Sequence, residues 1–100
     1  MSETGVSMVE PGVLRLTGVL DYRSGPRLRK AGQALIAACR EPRLVLDCSA
    51  VEHSTSVGLA LLLGFMRDAQ AAGKACTLQG MPHDMREIAE VYDLTQVLAS

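Results

Sequence analysis

The sequence predicts an α/β domain with a mixed β-sheet of about four to five strands and helices mainly on one face. Segments with strand patterns alternate with segments of helical periodicity, which implies right-handed crossovers between neighbouring strands. The chain is also short for two full helical layers, and this favours helices on one side. With 100 residues there is room for one hydrophobic core, so residues 1–100 are expected to form a single domain.

Four segments have the composition of β-strands. Apolar and polar residues alternate at the start of Val13–Leu20, and Pro11-Gly12 predicts a hairpin turn from a short strand around residues 8–9. The apolar run in Arg43–Cys48 is typical of a central strand that is buried on both faces. Ala75–Gly80 predicts a further strand. A loop is expected to follow Cys48.

Three segments predict helices. Ser24 is expected to cap the first helix, which should end at Glu41-Pro42. The second should run from about Ser56 to Ala72 and end at Gly73, and Pro82 should open the third. The residues expected to face the core are Leu28, Ala31, Leu35 and Ala38 or Cys39 in the first helix, and Met85, Ile88, Ala89 and Tyr92 in the third. The apolar tail, residues 94–98, is expected to pack back on the domain.

Composition argues against several function classes. The net charge is −1 and aromatic residues make up 3%, so neither a basic surface nor a base-stacking platform for nucleic acid is expected. The longest apolar run, Val57–Met66, is about half of what a bilayer requires, and no signal peptide is visible, which predicts a protein without direct membrane insertion. Cys39, Cys48 and Cys76 are widely spaced and are expected to be reduced, buried apolar groups.

No catalytic, cofactor or metal site is predicted. The sequence has no glycine-rich phosphate loop, paired carboxylates or nucleophile elbow. His53 is expected to lie in an exposed loop, without an ordered Ser or Cys partner. Asp47 ends a predicted strand, where its carboxylate would serve the following loop either structurally or functionally. The chain is therefore predicted not to be an enzyme.

The second predicted helix has an unusual outward face. Its sheet-facing side should contain Gly58, Leu61, Leu62, Phe65, Ala69 and Ala72, and the opposite side Ser56, Ala60, Leu63, Arg67, Gln70 and Lys74. The outward face thus presents a hydroxyl, a methyl and an isobutyl group before any charge, which suits a protein partner. The candidate partner-binding residues are Thr55, Ser56, Ala60, Leu63 and Arg67. The alternative is a helix that is buried over a wider arc.

Ser56 lies where this helix should begin. A hydroxyl there can cap the first-turn N–H groups, as Ser54 or Thr55 also could. Ser56 is also a candidate phospho-acceptor, because the positive end of the helix dipole would stabilise a phosphate.

The segment Leu46–Leu59 resembles the signature of STAS domains, the fold of bacterial anti-sigma-factor antagonists. In that family a strand ending in Asp-x-Ser leads through a loop to Asp-Ser/Thr-small-Gly-Leu at a helix start. Ser56 corresponds to the Ser/Thr position, and Gly58-Leu59 to Gly-Leu. Upstream, Leu16–Asp21 is similar to the first long strand of the family, which commonly ends in Gly-x-Leu-Asp. The resemblance implies a single STAS domain.

Three segments are closer to the MlaB-like STAS subunits of bacterial Mla phospholipid-transport ABC systems. They are Gly58–Leu63, Thr77–Gly80 and Ile88–Leu94, with Val97-Leu98 beyond. This resemblance implies a non-catalytic cytoplasmic subunit that binds the transporter ATPase (MlaF-like) and supports its assembly and activity. Through the ATPase it would reach the permease complex, peripheral to the inner membrane. Such systems move phospholipids between the membranes and maintain outer-membrane lipid asymmetry.

One departure bears on the choice between functions. The Asp that precedes the Ser/Thr of the family motif is Thr55 here. In antagonists that a partner kinase phosphorylates, this Asp belongs to the recognised loop, so its replacement favours the transporter subunit. The alternative is an anti-sigma factor antagonist that binds an anti-sigma kinase and is controlled by phosphorylation at Ser56. A nucleotide-binding STAS module is a third option, but no sequence motif supports it.

Overall fold

The computed structural model describes residues 3–91, and these form four strands and three helices in the predicted order. The elements are β1 (Gly5–Glu10), β2 (Val13–Leu20), α1 (Gly25–Ala38), β3 (Arg43–Ser54), α2 (Ser56–Ala71), β4 (Ala75–Gln79) and α3 (His83–Val91). The predicted core position Tyr92 and the tail at residues 94–98 lie outside the described residues.

The four strands form one mixed sheet in the order β1-β2-β3-β4. β1 and β2 are antiparallel, joined by the predicted turn, in which Gly12 has φ 81°. β2 and β4 both run parallel to β3, so β3 is a central strand as predicted, but helices bury it on one face and not on both. The mixed α/β architecture expected from the sequence is confirmed.

The helices of residues 3–91 cover one face of the sheet. α1 packs on β1 and β2, α2 on β3 and β4, and α3 on α2 and β3. Leu14 and Leu16 of β2 and Leu44 and Leu46 of β3 are fully buried beneath them. The other face presents a polar row across all four strands, formed by Ser7, Arg15, Asp47 and Gln79 in register.

Close approach of α1 to α2 depends on glycine. A Cβ on Gly32 would collide with the Phe65 ring, and one on Gly64 would meet the Arg29 side chain. Arg29 therefore crosses α2, where its guanidinium pairs with both Asp68 carboxylate oxygens at 2.5 and 3.1 Å and lies 5.6 Å from the Phe65 ring centroid. Two contacts therefore join the helices: the Phe65 ring packs on the backbone at Gly32, and Arg29 forms a bidentate ion pair with Asp68.

The buried face of α1 differs from the prediction. Ala31 and Ala38 are exposed, whereas Gly32 and Ile36 are buried, because the core contact here is made by a bare glycine backbone that receives Phe65. Leu28 is buried and Leu35 half-buried, as expected.

The ends of α1 also differ. The helix ends at Ala38 rather than at Glu41, since Cys39 adopts an extended backbone with φ −74° and ψ 129°. Ser24 occupies the N-cap position, but its hydroxyl donates to the Val19 carbonyl at 2.9 Å and makes no capping bond.

β3 is longer than predicted. The segment Ser49–Ser54, expected as a loop, continues the strand because the second half of β2 pairs with it, Thr17 with Ala50 and Leu20 with Ser54. Two register shifts accommodate this extension. His53 is consequently an exposed strand residue opposite Val19 and not a loop residue.

α2 has nearly the predicted limits, with two corrections near its end. Ala72 is exposed, because it is the C-cap residue and follows the last helical turn. Lys74 is half-buried and does not belong to the outward face. Its ammonium donates to the carbonyls of Cys39 and Glu41, each at 2.7 Å, and ties the chain after α1 to the end of α2.

The cysteines are only partly as predicted. Cys48 is buried in the core, while Cys39 and Cys76 are half-buried. Burial, with a smaller contribution from the neighbouring Asp47 carboxylate, raises the pKa of the Cys48 thiol to about 12. Burial also raises the pKa of Cys76.

Candidate partner-binding site

Thr55 caps the second helix. Its hydroxyl accepts a hydrogen bond from the Val57 N–H at 3.2 Å and donates to the Leu20 carbonyl at 3.3 Å. Ser54 instead donates to the Thr55 carbonyl at 2.8 Å. Ser56 is therefore the first helical residue, exposed, and its hydroxyl has no hydrogen-bond partner among residues 3–91.

The outward face of α2 is largely open, although the helix is buried over a wider arc at Leu63. Ser56, Ala60 and Arg67 are exposed, and Leu63 is half-buried, with part of its side chain packed against the core. On the sheet-facing side, Gly58, Leu61, Leu62, Phe65 and Ala69 are buried as predicted, and Leu59 and Gly64 are buried as well. We call the outward line Ser56–Ala60–Leu63–Arg67 the α2 ridge.

A groove lies on each side of the first turns of the ridge. The groove toward α1 has a volume of about 460 Å³ and is lined mainly by Tyr22, Pro26, Val57, Ala60 and Leu61. The groove toward α3 has a volume of about 470 Å³ and is lined by Thr55, Ser56, Glu87, Ile88 and Val91. Both grooves are mainly apolar. An apolar side chain of a partner could therefore fill either groove while removing water from few polar groups of this chain.

Two large apolar residues of this surface were missed by the sequence analysis. Tyr22 is 73% exposed and Val91 is 80% exposed, and each lines one of the grooves. They come from the loop before α1 and from the end of α3, so a helical projection of α2 alone does not include them. The sequence signal that could have identified them is a large apolar residue at a position expected to be exposed.

α3 is held beside α2 at its first turn. The Asp84 carboxylate accepts hydrogen bonds from the Ser54 N–H at 3.1 Å and the Met85 N–H at 2.8 Å. Met85 then packs on Gly58, where a Cβ would lie 3.1 Å from the methionine methyl group. The position of the second groove thus follows from a capping carboxylate and a glycine contact.

These observations describe a mainly apolar surface around the start of α2. Across residues 3–91, no three His, Cys, Asp or Glu side chains are grouped so that they could hold a metal ion. No helix in the same range has the length and apolar character needed to cross a membrane.

Comparison with known proteins identifies the fold family. The family model described as "Mlab, STAS domain" matches residues 6–99. The chain belongs to the STAS domain family. STAS domains are generally non-enzymatic domains that regulate or bind partner proteins.

Several solved structures are similar to this STAS domain. The unphosphorylated form of the anti-sigma factor antagonist SpoIIAA, a Bacillus cell fate determinant, has a TM-score of 0.72 at 22% identity, with 94% of this chain and 84% of that chain covered. An anti-sigma factor antagonist from Mycobacterium paratuberculosis has 0.72 at 26%, with 96% and 81% covered. A sulfate transporter family protein from Wolinella succinogenes has 0.66 at 15%, with 93% and 76% covered.

Two aspartates of the STAS motifs support the structure around the site. The Asp21 carboxylate accepts hydrogen bonds from the backbone N–H groups of Arg23 and Ser24 at 2.9 and 3.3 Å, which fixes the turn that presents Tyr22. Asp47 lies on the face of the sheet opposite to α2 and is 4% exposed. It therefore does not contribute to the ridge.

The Asp47 carboxylate stays ionised despite its burial. Burial alone would raise its pKa, but hydrogen bonds from Ser49, including its N–H at 3.0 Å, and from the Arg15 guanidinium at 3.0 Å outweigh burial and hold the pKa below its usual value. Asp47 thus joins β2 to the middle of β3 and has a structural role.

Proposed function

We propose that this STAS domain is the non-catalytic subunit of an Mla-type ABC transporter, and that it binds and supports the transporter ATPase. It would act in phospholipid transport between membranes and in the maintenance of outer-membrane lipid asymmetry. Contact with the permease complex would be made through the ATPase. The chain would act as one domain in the cytoplasm, peripheral to the inner membrane through this partner.

The observation that carries the proposal is the small and apolar start of the α2 ridge between two apolar grooves. Ser56 and Ala60 let a partner backbone approach closely, while Tyr22 and Val91 offer apolar area that water would leave on docking. The matching family model, described as "Mlab, STAS domain", favours an Mla-type partner over other STAS partners.

Thr55 is compatible with this role. As a cap it supplies the hydrogen bond that a capping Asp would supply, without adding negative charge to the surface. Thr55 and Ser56 line the groove toward α3, and Arg67 ends the ridge. We therefore assign Thr55, Ser56, Ala60, Leu63 and Arg67 to the partner contact.

Substitution of Ala60 tests the site most cleanly. Ala60→Arg puts bulk and charge at the centre of the contact, where such changes commonly cost about 2 kcal/mol or more, roughly a thirtyfold loss of affinity. Ala60 is exposed, so folding should be nearly unchanged, whereas the half-buried Leu63 would confound binding with stability. The measurement is the dissociation constant for the Mla-type ATPase from the same genome, with thermal melting of each variant.

Ala34→Arg is the matched control. Ala34 is exposed on α1 and lines none of the grooves described, so the same substitution there should leave affinity within about twofold. Equal affinity of folded Ala60→Arg and wild type would show that the ridge is not the contact.

The second candidate is an anti-sigma factor antagonist controlled by phosphorylation at Ser56. The similar structures include SpoIIAA in its phosphorylated form, and Ser56 is exposed at the start of α2. This function requires an anti-sigma kinase that binds the chain and phosphorylates Ser56. Genes for a small kinase and a sigma factor beside this one would favour it, and genes for an ABC ATPase and permease would favour the transporter.

A further inference from the structure

The surface around the α2 ridge has opposite charge on its two borders. On the α1 border, Arg23 is exposed and follows Tyr22, while Arg29 is already neutralised by Asp68. On the α3 border, Glu87 lines the groove that contains Ser56. The helix α1, Gly25–Ala38, has no acidic residue, whereas α3 carries Asp84, Glu87 and Glu90 against one arginine, Arg86. The polarity thus follows from the two helices that flank the ridge.

Arg23 is held in a position suited to an acidic group of a partner. Its guanidinium lies 5.6 Å from the Tyr22 ring centroid, and its Nε donates to the Tyr22 hydroxyl at 3.2 Å. This contact uses the Nε–H and none of the N–H groups on the two terminal nitrogens. Within residues 3–91 Arg23 has no acidic partner in the structure. A partner carboxylate docked beside Tyr22 could accept two parallel hydrogen bonds from the Arg23 guanidinium.

On the other border, Glu87 is the acidic residue that lines the groove. Asp84 already accepts two backbone hydrogen bonds, whereas the Glu87 side chain is 64% exposed and contacts only the exposed His83, at 2.7 Å. A basic side chain of a partner would be attracted to Glu87, and an acidic one would be repelled.

We infer that the docking segment of the partner lies across the α2 ridge in one orientation, with acidic side chains over Tyr22 and Arg23 and basic side chains over Glu87. Its apolar side chains enter the two grooves. This inference rests on the proposed function, in which the segment belongs to the ATPase. Arg23 and Glu87 then set the orientation, while the ridge and the grooves supply the apolar contact.

Four charge reversals test the orientation against matched controls. Arg23→Glu is paired with Arg40→Glu, and Glu87→Lys with Glu41→Lys, because each pair changes net charge equally and the control residues are exposed, follow the C-terminal end of α1 and line neither groove. Affinity for the ATPase is measured at about 0.1 M and about 1 M salt, together with melting temperatures. We expect Arg23→Glu and Glu87→Lys to weaken binding about tenfold at the lower salt, and much less at the higher, and the controls to change it less than about twofold.

The outcomes separate this inference from the proposal that it deepens. If Ala60→Arg weakens binding but the two reversals match their controls, the ridge is the contact and the orientation by charge is wrong. If either reversal tightens binding, the orientation is opposite to the one inferred. If the wild-type chain does not bind the ATPase, the proposed function fails, and this inference fails with it.

Discussion

Neighbouring residues of β3 have opposite chemistry because successive side chains point to opposite faces of the sheet. Cys48 points into the core with 1% exposure, and Asp47 points to the polar face, where Arg15 and Ser49 hold it ionised. Burial raises the pKa of the Cys48 thiol, and the negative charge of the Asp47 carboxylate raises it further, so the thiolate is disfavoured. Reactivity of the three cysteines should therefore differ.

Cys48 should be the slowest cysteine to alkylate in the native protein. With a pKa of about 12, its thiolate fraction near pH 8 is about one in ten thousand, and the core blocks access. Cys39 and Cys76 are half-buried and should react earlier. Peptide-level mass spectrometry after timed alkylation measures the order, and denaturant should remove the difference. Native labelling of Cys48 as fast as that of Cys39 would contradict its placement in the core.

At the scale of elements, α1 and α2 form the platform on which the site rests. Gly25 contributes at the N-terminal end, where a Cβ would lie 2.7 Å from a Val57 methyl group, and Gly32 contributes in the middle of α1. Because Val57 and Tyr22 line the same groove, the separation of the two helices also sets the width of that groove. Packing at the glycines is thus linked to the geometry of the site.

Gly32→Ala and Gly64→Ala should have different effects on stability. Alanine is the better helix former by about 1 kcal/mol, but at Gly32 its methyl group would collide with the buried Phe65 ring, so we expect a net loss of about 1–3 kcal/mol. At Gly64 the new methyl group would displace the guanidinium of Arg29 and weaken its ion pair with Asp68, which offsets the gain in helix propensity, so the change should stay within about 1 kcal/mol. Urea unfolding measures both, and a Gly32→Ala variant as stable as wild type would contradict the packing described.

For the whole molecule, the fold and the ridge could be predicted because both follow from periodic patterns of side chains. Element order, the central position of β3 and the two faces of α2 come from apolar spacing together with the Gly and Pro residues at element ends. Packing that depends on the lack of a side chain could not be predicted in this way. Gly32 is an example, because the Phe65 ring packs directly on its backbone. Nor could surfaces that combine distant elements, such as Tyr22 with Val91, because their proximity depends on the tertiary packing of α1 and α3 around α2.

The same tertiary arrangement determines how substitutions of Ser56 affect binding to the ATPase. Ser56→Ala removes a hydroxyl that has no partner among residues 3–91, so binding to the ATPase should weaken only slightly. Ser56→Asp places a carboxylate at the small start of the α2 ridge, where a closely packed partner backbone would remove water from it.

We expect Ser56→Asp to weaken ATPase binding about tenfold or more, without loss of stability, because the N-terminus of α2 favours a carboxylate in the free protein. Affinity and melting temperature should therefore move independently, which separates a contact effect from unfolding. If Ser56→Asp binds the ATPase as wild type does, then Ser56 lies outside the contact. If instead a kinase partner phosphorylates the wild-type chain but not Ser56→Ala, and the ATPase binds neither, the chain is an anti-sigma factor antagonist, because only that function requires the Ser56 hydroxyl as a reacting group.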